Sequence, residues 1–451
     1  MAERVGAPLP LSDVRIAVKD IFDICGIRTS LGSRDYLRSG SPALKTSPAV
    51  QLLVDSGANI VGLTKICSMV LLQHPTQCID FSAPFNPRGD GYQSPSGGSS
   101  GQAAAVSSYA WLDAAISSDS TASARLPAIA NGCFSYRPSV GIASCEGMWS
   151  GVPMVDTPCV FSRSINTITK LATEWAQQGR GSPQKLGELP PYLLFITDPL
   201  GPEESLQKDI AISFLRDVER FLGIPAKQLS VPDAWNNDPP IEALGLSISE
   251  YLDANVATRT YVYTFWKRIQ IFLSEFEAQQ HRMPYIPPPK GIRMWDGARK
   301  VKPEEHQESM VRWNVFRNWL LDKVLCVRKM NTLLVWPITE VQTRYRDEWP
   351  SPPLGDQSIW EPLLISPITG SPEVIVPVGE VPYNSRVSGK EEMLPVCVSV
   401  MGVPHSDLNL LETVQKILEG SNRWTTVGTG RSMFLNHDSI DQEGNQQDVR
   451  T

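Results

Sequence analysis

The sequence predicts an α/β protein, because two kinds of segment alternate along it. Short apolar runs that end at glycine or another turn residue predict strands. Amphipathic segments, together with one segment of small residues, predict helices that pack against those strands. The alternation extends to about residue 170 and returns near the end of the chain, so we expect one α/β body split by an insertion.

The first elements follow in order from residue 13. Residues 13–26, DVRIAVKDIFDICG, predict a strand that ends in a turn at the glycine. Residues 48–65, PAVQLLVDSGANIVGLTK, predict an amphipathic helix, a break at Gly57 and then a buried strand. Residues 101–112, GQAAAVSSYAWL, predict a helix of small residues suited to close packing, and LDAAIS at 112–117 predicts the next strand.

The middle of the chain has a different pattern. Residues 203–282 contain two long helical stretches, the first with an apolar stripe that includes Ile210, Phe214 and Val218. Proline-rich segments then interrupt the chain. The α/β pattern returns in three apolar runs and a final amphipathic helix, NTLLVWPIT, SPEVIVPVGE, LPVCVSVMGV and HSDLNLLETVQKILEG.

These patterns predict one domain over residues 1–437. Its α/β core lies at about 10–175 and about 325–430, and the insertion at about 176–325 is expected to be helical. The last segment, 438–451, is polar enough to be a disordered tail.

Composition excludes several classes of function. The net charge of -7 and the absence of a Lys/Arg cluster argue against a nucleic-acid partner, which needs a basic surface. No apolar run reaches the ~18 residues of a membrane span, and the start of the chain lacks the apolar core of a signal peptide. The eight cysteines and five histidines are scattered without metal-ligand spacing. We therefore expect reduced thiols, a cytoplasmic protein and no metal.

A run of serine and glycine, SPSGGSSGQAAAV at residues 94–106, allows three interpretations. As a flexible linker it would join two independent patterns, but it opens directly into a predicted helix. As a nucleophile elbow, residues 97–101 satisfy G-x-S-x-G, but that turn needs an apolar strand immediately before it, and the preceding residues are polar and broken by proline. The third interpretation places the run in a different serine-dependent site.

The third interpretation rests on a resemblance to the amidase signature family. VKD around Lys19, GGSSG at 97–101 and DSTASARLPA at 119–128 resemble the family's three main motifs. Further segments resemble the family along nearly the whole chain, with a gap at about 175–325: APFNP, YRPSVG, DTPCVFSRS, SPEVIVPVG and LPVCVSVMG. VKDIFDICG and YRPSVG look most like the short amidases typified by plant indole-acetamide hydrolases. The resemblance implies a large central mixed β-sheet covered by helices on both faces.

The resemblance also implies a catalytic set of Lys19, Ser99 and Ser123. In the family a lysine is the base, a serine in a cis peptide relays the proton, and a second serine, 24 positions later as here, is the nucleophile. The backbone N–H groups of Ser120, Thr121 and Ala122 would hold the oxyanion. Lysine acts as a base only when it is neutral, and burial among the apolar neighbours of Lys19 would favour that form.

The nucleophile segment departs from the family pattern. The family's two glycines are replaced by Thr121 and Ala122, and a β-branched residue tolerates positive φ poorly. Ser68 stands where the family commonly has glutamate, and Gln102 replaces another glycine. Beside the nucleophile, at the two ends of its loop, we expect Asp119 and Arg125 to form a structural ion pair.

The implied function is hydrolysis of a carboxamide or ester of a small molecule, without a cofactor. The departures leave three alternatives open: an acyl-transfer or tailoring enzyme in small-molecule biosynthesis, a catalytically weak binding or scaffold protein, and an amidotransferase A subunit. No substrate-binding residue is assigned, although Met148, Trp149 and Met154 are candidates for an apolar acyl pocket as well as for plain core. The sequence also leaves open whether the chain is a monomer or a homodimer.

Overall fold

A ten-stranded mixed β-sheet runs through the computed structural model, which describes residues 8–71, 74–178, 189–199, 204–286, 290–349 and 361–434. The strands are β1 Arg15–Lys19, β2 Asn59–Thr64, β3 Ala114–Asp119, β4 Phe134–Arg137, β5 Thr157–Ser162, β6 Pro191–Ile196, β7 Lys227–Leu229, β8 Asn331–Trp336, β9 Glu373–Asn384 and β10 Glu391–Met401. Their order in the sheet is β2-β1-β3-β5-β4-β9-β10-β8-β6-β7.

Helices cover both faces of this sheet. They are α1 Arg34–Ser39, α2 Pro48–Asp55, α3 Ser100–Ser108, α4 Arg125–Asn131, α5 Ile165–Gln178, α6 Leu206–Leu222, α7 Val231–Asn237, α8 Ile248–Tyr251, α9 Ala254–Ala257, α10 Tyr263–Gln280, α11 Lys290–Arg299, α12 Pro303–Trp319, α13 Ile365–Thr369 and α14 Asp407–Gly420. Two π-helical turns, Thr258–Val262 and Leu320–Val324, lie before α10 and after α12. No described helix is both long and apolar enough to cross a membrane.

The two faces of the sheet form two apolar cores, because successive side chains of a strand point to opposite sides. Val18 of β1 packs in the core that also contains residues of α2, α5, α6 and α14. Its neighbour Ala17 packs in the other core, with residues of α3, α4, α7 and α12. The expected α/β fold with a large mixed sheet and helices on both faces is confirmed.

The strands β2, β1 and β3 are parallel neighbours, so their carboxyl ends meet at one edge of the sheet. β1 ends at Lys19, β3 ends at Asp119, and α3 begins at Ser100. In open α/β sheets, ligands bind beyond the carboxyl ends of the parallel strands. The fold thus brings the three motifs of the sequence to this one edge.

The observed elements differ from the expected ones in two places. The strand after Gly57 was expected to be buried, but β2 is an edge strand whose Val61 and Leu63 are exposed. The segment 176–325 was expected to be helical, yet its short apolar run PYLLFI forms β6, and residues 227–229 form β7. In the central sheet, β6 pairs with β8 and β7 pairs with β6. This segment therefore contributes to the sheet as well as to the helices that cover it. The expected tail at 438–451 lies outside the described residues.

Candidate active site

Lys19 and Ser99 are in direct contact beneath the carboxyl edge of the sheet. Lys19 Nζ donates a hydrogen bond of 2.9 Å to Ser99 Oγ. Both side chains are buried, at 1% and 0% exposure. Lys19 comes from the end of β1 and Ser99 from the turn before α3, so the contact joins two segments 80 residues apart.

Burial changes the acid–base chemistry of Lys19. Loss of water around the ammonium lowers the pKa of Lys19 from 10.5 to about 8, against the opposing effect of nearby groups such as Cys159 and Asp119. Burial has this effect because it disfavours the charged form of a lysine. A lysine with a pKa of about 8 is partly neutral near that pH, and the neutral amine is able to accept a proton as a general base.

Two further serines at the end of β3 contact the same pair. Lys19 Nζ donates to Ser118 Oγ over 3.0 Å, and Ser117 Oγ donates to Ser99 Oγ over 2.5 Å. Ser117 is fully buried and Ser118 nearly so. Neither residue was predicted from the sequence as a site residue, because one serine within the SSDS run at 117–120 has no distinguishing spacing.

Ser123 lies against the turn that carries Ser99. A Cβ added to Gly98 would stand 2.5 Å from Ser123 Oγ, and Gly98 has φ +70°, a conformation that favours glycine. Ser123 is partly exposed, in contrast to Lys19 and Ser99. Its Oγ makes no hydrogen bond to any residue that the structure describes. The arrangement places an accessible hydroxyl in front of a buried serine–lysine pair.

A buried charge network anchors the loop that carries Ser123. The Asp119 carboxylate lies 3.1 Å from Arg125 and 3.1 Å from Arg137, and it accepts the Ala124 N–H over 2.8 Å. Arg125 also contacts Glu373 at 3.2 Å. Burial alone would raise the pKa of Asp119, but the two guanidinium groups hold it below its usual value. The ion pair between Asp119 and Arg125 is the one expected from the sequence.

A second carboxylate, Asp156, holds the start of the same loop. It accepts hydrogen bonds from Ser120 Oγ, from Ser150 Oγ at 2.6 Å and from the Val152 N–H at 2.9 Å. Within the described ranges, the amide N–H groups of Thr121 and Ala122 donate to no other group. The Ser120 N–H also donates to no described group. These amide groups lie in a partly exposed loop and are able to donate hydrogen bonds to a ligand oxygen.

The replaced glycines introduce no backbone strain. Neither Thr121 nor Ala122 is among the described residues with positive φ. Gln102, another replacement, donates through its side-chain Nε2 to Thr64 Oγ1 and so ties α3 to β2. Ser68, at the position of the family's glutamate, is buried at 6% exposure. At Thr121 and Ala122 the replacements thus change side chains without requiring a positive φ.

The three candidates for an apolar pocket do not lie in one place. Met148 is buried and pairs with Phe22. The Trp149 ring is partly exposed and lies 5.3 Å from the ring of Phe265. Met154 lines a separate small cavity with Arg317, among others, and none of the three predicted catalytic residues lines that cavity. The backbone N–H of Trp149 donates to the carbonyl of Ile21, two residues after Lys19.

Metal-ligating residues are not grouped in the described part of the chain, where no three His, Cys, Asp or Glu side chains could hold one ion.

Comparison with known proteins finds relatives of this chain. The Amidase family model matches residues 2–192. Amidase 1 of Oryza sativa subsp. japonica is 36% identical over 163 residues, which cover 36% of this chain and 37% of that protein. Outer envelope protein 64, chloroplastic, of Arabidopsis thaliana is 25% identical over 443 residues, which cover 94% of this chain and 69% of that protein. The match to the rice relative thus spans less than two fifths of its length.

A solved structure has a similar fold. The solved structure of 6-aminohexanoate cyclic dimer hydrolase superposes with a TM-score of 0.70 at 18% identity, covering 92% of this chain and 86% of that one. This likeness extends the family's fold across the segments that the family model does not match. In sequence, residues 2–192 are similar to the Amidase family, and the fold of the described chain is similar to that of a solved hydrolase.

Proposed function

We propose that this protein hydrolyses a carboxamide of a small molecule, with Ser123 as nucleophile, Ser99 as proton relay and Lys19 as base. The observation that carries the proposal is the 2.9 Å contact between Ser99 Oγ and a buried lysine whose pKa is about 8. The names of the rice Amidase 1 and of the cyclic dimer hydrolase, which has the same fold, support an amide as the substrate class.

The reaction begins when Ser123 Oγ attacks the carbonyl carbon of the amide. The Ser123 proton passes to Ser99 Oγ as the Ser99 proton passes to neutral Lys19 Nζ, since a hydroxyl both donates and accepts. The carbonyl oxygen becomes an oxyanion that accepts hydrogen bonds from the N–H groups of Thr121 and Ala122. The C–N bond then breaks, and the leaving amine takes a proton from Lys19 through Ser99.

The second half of the reaction releases the acid. Water attacks the ester carbonyl of the Ser123 acyl-enzyme and gives its proton to Ser99, which again passes its own proton to Lys19. When the tetrahedral intermediate collapses, the C–O bond to Ser123 breaks and Ser123 regains a proton by the same route. The balanced reaction consumes one amide and one water and yields one carboxylic acid and one amine.

Labelling of Ser123 tests this proposal. A fluorophosphonate probe is expected to label the wild-type protein on Ser123, located by mass spectrometry of tryptic peptides, because the relay makes this hydroxyl nucleophilic. The Ser123→Ala variant is expected to lose the label, whereas Ser144→Ala, which removes a serine outside the site, keeps it. Equal labelling of the wild type and Ser123→Ala would refute the assignment.

Gly98→Ala is expected to lower kcat/KM by about 10²-fold, because the added Cβ would displace the nucleophile from its position against the Ser99 turn. Hydrolysis of an activated aryl amide and thermal unfolding are the two measurements. Gly26→Ala is the matched control, since Gly26 has φ +79° and nothing within 4 Å of an added Cβ. A control that lost as much activity as Gly98→Ala would show that backbone strain, and not the contact with Ser123, causes the effect.

A binding or scaffold protein is the second candidate function. It is favoured by the loss of both family glycines at Thr121 and Ala122 and by an alignment over 94% of the chain with a relative named for its place in an envelope. Turnover across a panel of amides and aryl esters, compared with Ser99→Ala, separates the two candidates. Any turnover that depends on Ser99 would exclude a purely non-catalytic role.

Partners and location follow from the proposed chemistry only in part. We propose a small amide as the partner, and the relay needs side chains and water alone. The absence of a nucleic-acid partner stays a prediction. The choice between monomer and homodimer stays open. The cytoplasmic location also stays a prediction, because the Arabidopsis relative is named for the chloroplast outer envelope.

A further inference from the structure

Ser117 places a third hydroxyl on the relay. Its side chain is fully buried on β3, and its Oγ lies 2.5 Å from Ser99 Oγ, to which it donates. The mechanism above assigns it no part. Ser118, the next residue, contacts Lys19 instead, so the two neighbouring serines hold the two buried members of the relay.

The small number of hydrogen bonds that Ser99 Oγ can make indicates a role for Ser117. A hydroxyl has one proton to donate and two lone pairs that accept. In the structure, Ser99 Oγ accepts from Lys19 Nζ and from Ser117 Oγ and donates to the Ser118 carbonyl over 3.4 Å. When Lys19 is neutral, Ser99 is able to donate its proton to Nζ instead, which frees one lone pair to accept from Ser123. When Lys19 is charged, its N–H and the Ser117 O–H occupy both lone pairs, and Ser123 has no acceptor.

We propose that Ser117 is a positioning residue that donates to Ser99 Oγ and thereby stabilises the negative charge that Ser99 carries while it exchanges protons with Ser123 and Lys19. The proposal rests on the proposed function. In the transfer, the Ser123 O–H bond breaks as a new O–H bond forms on Ser99, and the original Ser99 O–H bond breaks as an N–H bond forms on Lys19. Ser117 keeps its own proton throughout.

Removal of the Ser117 hydroxyl has a defined effect on Lys19. Without that donor, Ser99 Oγ becomes a better acceptor for the Lys19 ammonium, which favours the charged lysine. The titratable groups that act on Lys19 are Cys159, Asp119, Cys67 and Asp156, and all four remain in a Ser117 variant. The pH at which the relay becomes active is therefore expected to move upward.

The test compares Ser117→Ala and Ser117→Thr with the wild type in the intact protein. Ser135→Ala is the matched control, because Ser135 is also buried in the sheet and its Oγ has no hydrogen-bond partner among the described residues. The readout is the rate of fluorophosphonate labelling of Ser123 from pH 6 to pH 10, in which Ser123 Oγ bonds to phosphorus and fluoride leaves. Thermal unfolding checks that each variant is folded.

For Ser117→Ala, the labelling rate of Ser123 is expected to be about tenfold lower, and its rise with pH is expected to occur at higher pH than in the wild type. For Ser117→Thr and Ser135→Ala, the labelling rate is expected to be close to that of the wild type. A folded Ser117→Ala with the wild-type rate and pH limb would overturn this inference alone. A folded Ser117→Thr as slow as Ser117→Ala would also overturn it, because the hydroxyl would then have no effect. A wild type whose Ser123 is unreactive at every pH would overturn the proposed function first, and this inference with it.

Discussion

Replacement of Lys19 by methionine is expected to lower kcat/KM by about 10³-fold, within the range lost when a general base is removed. Lys19→Arg is expected to be as inactive, because a guanidinium stays protonated at every working pH. In the wild type, kcat/KM is expected to rise with pH and to level off above about 8, the pKa of Lys19, because the neutral amine is the active form. The measurement is hydrolysis of an activated aryl amide from pH 6 to pH 10.

The Lys19→Met variant is expected to be more stable than the wild type at pH 7. The folded state holds an ammonium whose pKa is lowered from 10.5 to about 8, which opposes folding by up to roughly 3 kcal/mol below pH 8. Between these two values the unfolded chain binds more protons than the folded one, so wild-type stability rises with pH and the advantage of Lys19→Met disappears. Urea unfolding at pH 7 and pH 10 measures this difference.

Lys45→Met is the control for both measurements, since Lys45 is exposed in the same part of the chain. It is expected to change neither activity nor the pH dependence of stability. Near-normal turnover by Lys19→Arg at pH 7–8, or a kcat/KM that falls as pH rises, would contradict the role of Lys19 as base.

Asp119→Ala is expected to lower the free energy of unfolding by about 3–5 kcal/mol, because it leaves two buried guanidinium groups with one carboxylate, Glu373. It also releases the Ala124 N–H that closes the loop before α4, so activity is expected to fall as well. Chemical unfolding at pH 7 is the measurement. The pKa of Asp119 is held below its usual value, so its contribution is present at neutral pH and is lost only as pH falls through that lowered pKa.

Asp238→Ala is the matched control for the Asp119 variant. Asp238 pairs with Lys323 at 2.6 Å, but both side chains are more than half exposed. An exposed ion pair is worth about 0–1 kcal/mol. If the two variants lost equal stability, the buried network would not be the anchor of the nucleophile loop.

Local pattern was enough to predict the elements around the site. β1, α2, α3, β3 and the final strands were expected where they occur, because each combines a clear periodicity with a terminal turn. The exposure of β2 was not predictable, since an apolar run looks the same at the edge of a sheet as at its centre. β6 was missed because a six-residue run between long helices gives too weak a signal.

The residues of the candidate site were also predictable only in part. Lys19 and Ser99 were expected together because of the resemblance to the amidase signature family. The ion pair of Asp119 with Arg125 was expected because the two residues are close in sequence. Glu373 completes that network from 248 residues away, and no local pattern announces such a contact. Ser117 was not predicted, because one serine among several in a row has no distinguishing spacing.

The pairing of β4 with β9 sets an order of events during synthesis. Arg137 ends β4 and lies opposite Glu373, which begins β9 and is the 236th residue added after Arg137. At the usual 5–20 residues per second, the ribosome needs roughly 10–50 s for that interval. During it the edge of β4 is open to other chains, and Arg125 lacks one of its two carboxylates. The loop that carries Ser123 therefore completes its buried charge network only after residue 373 has been added.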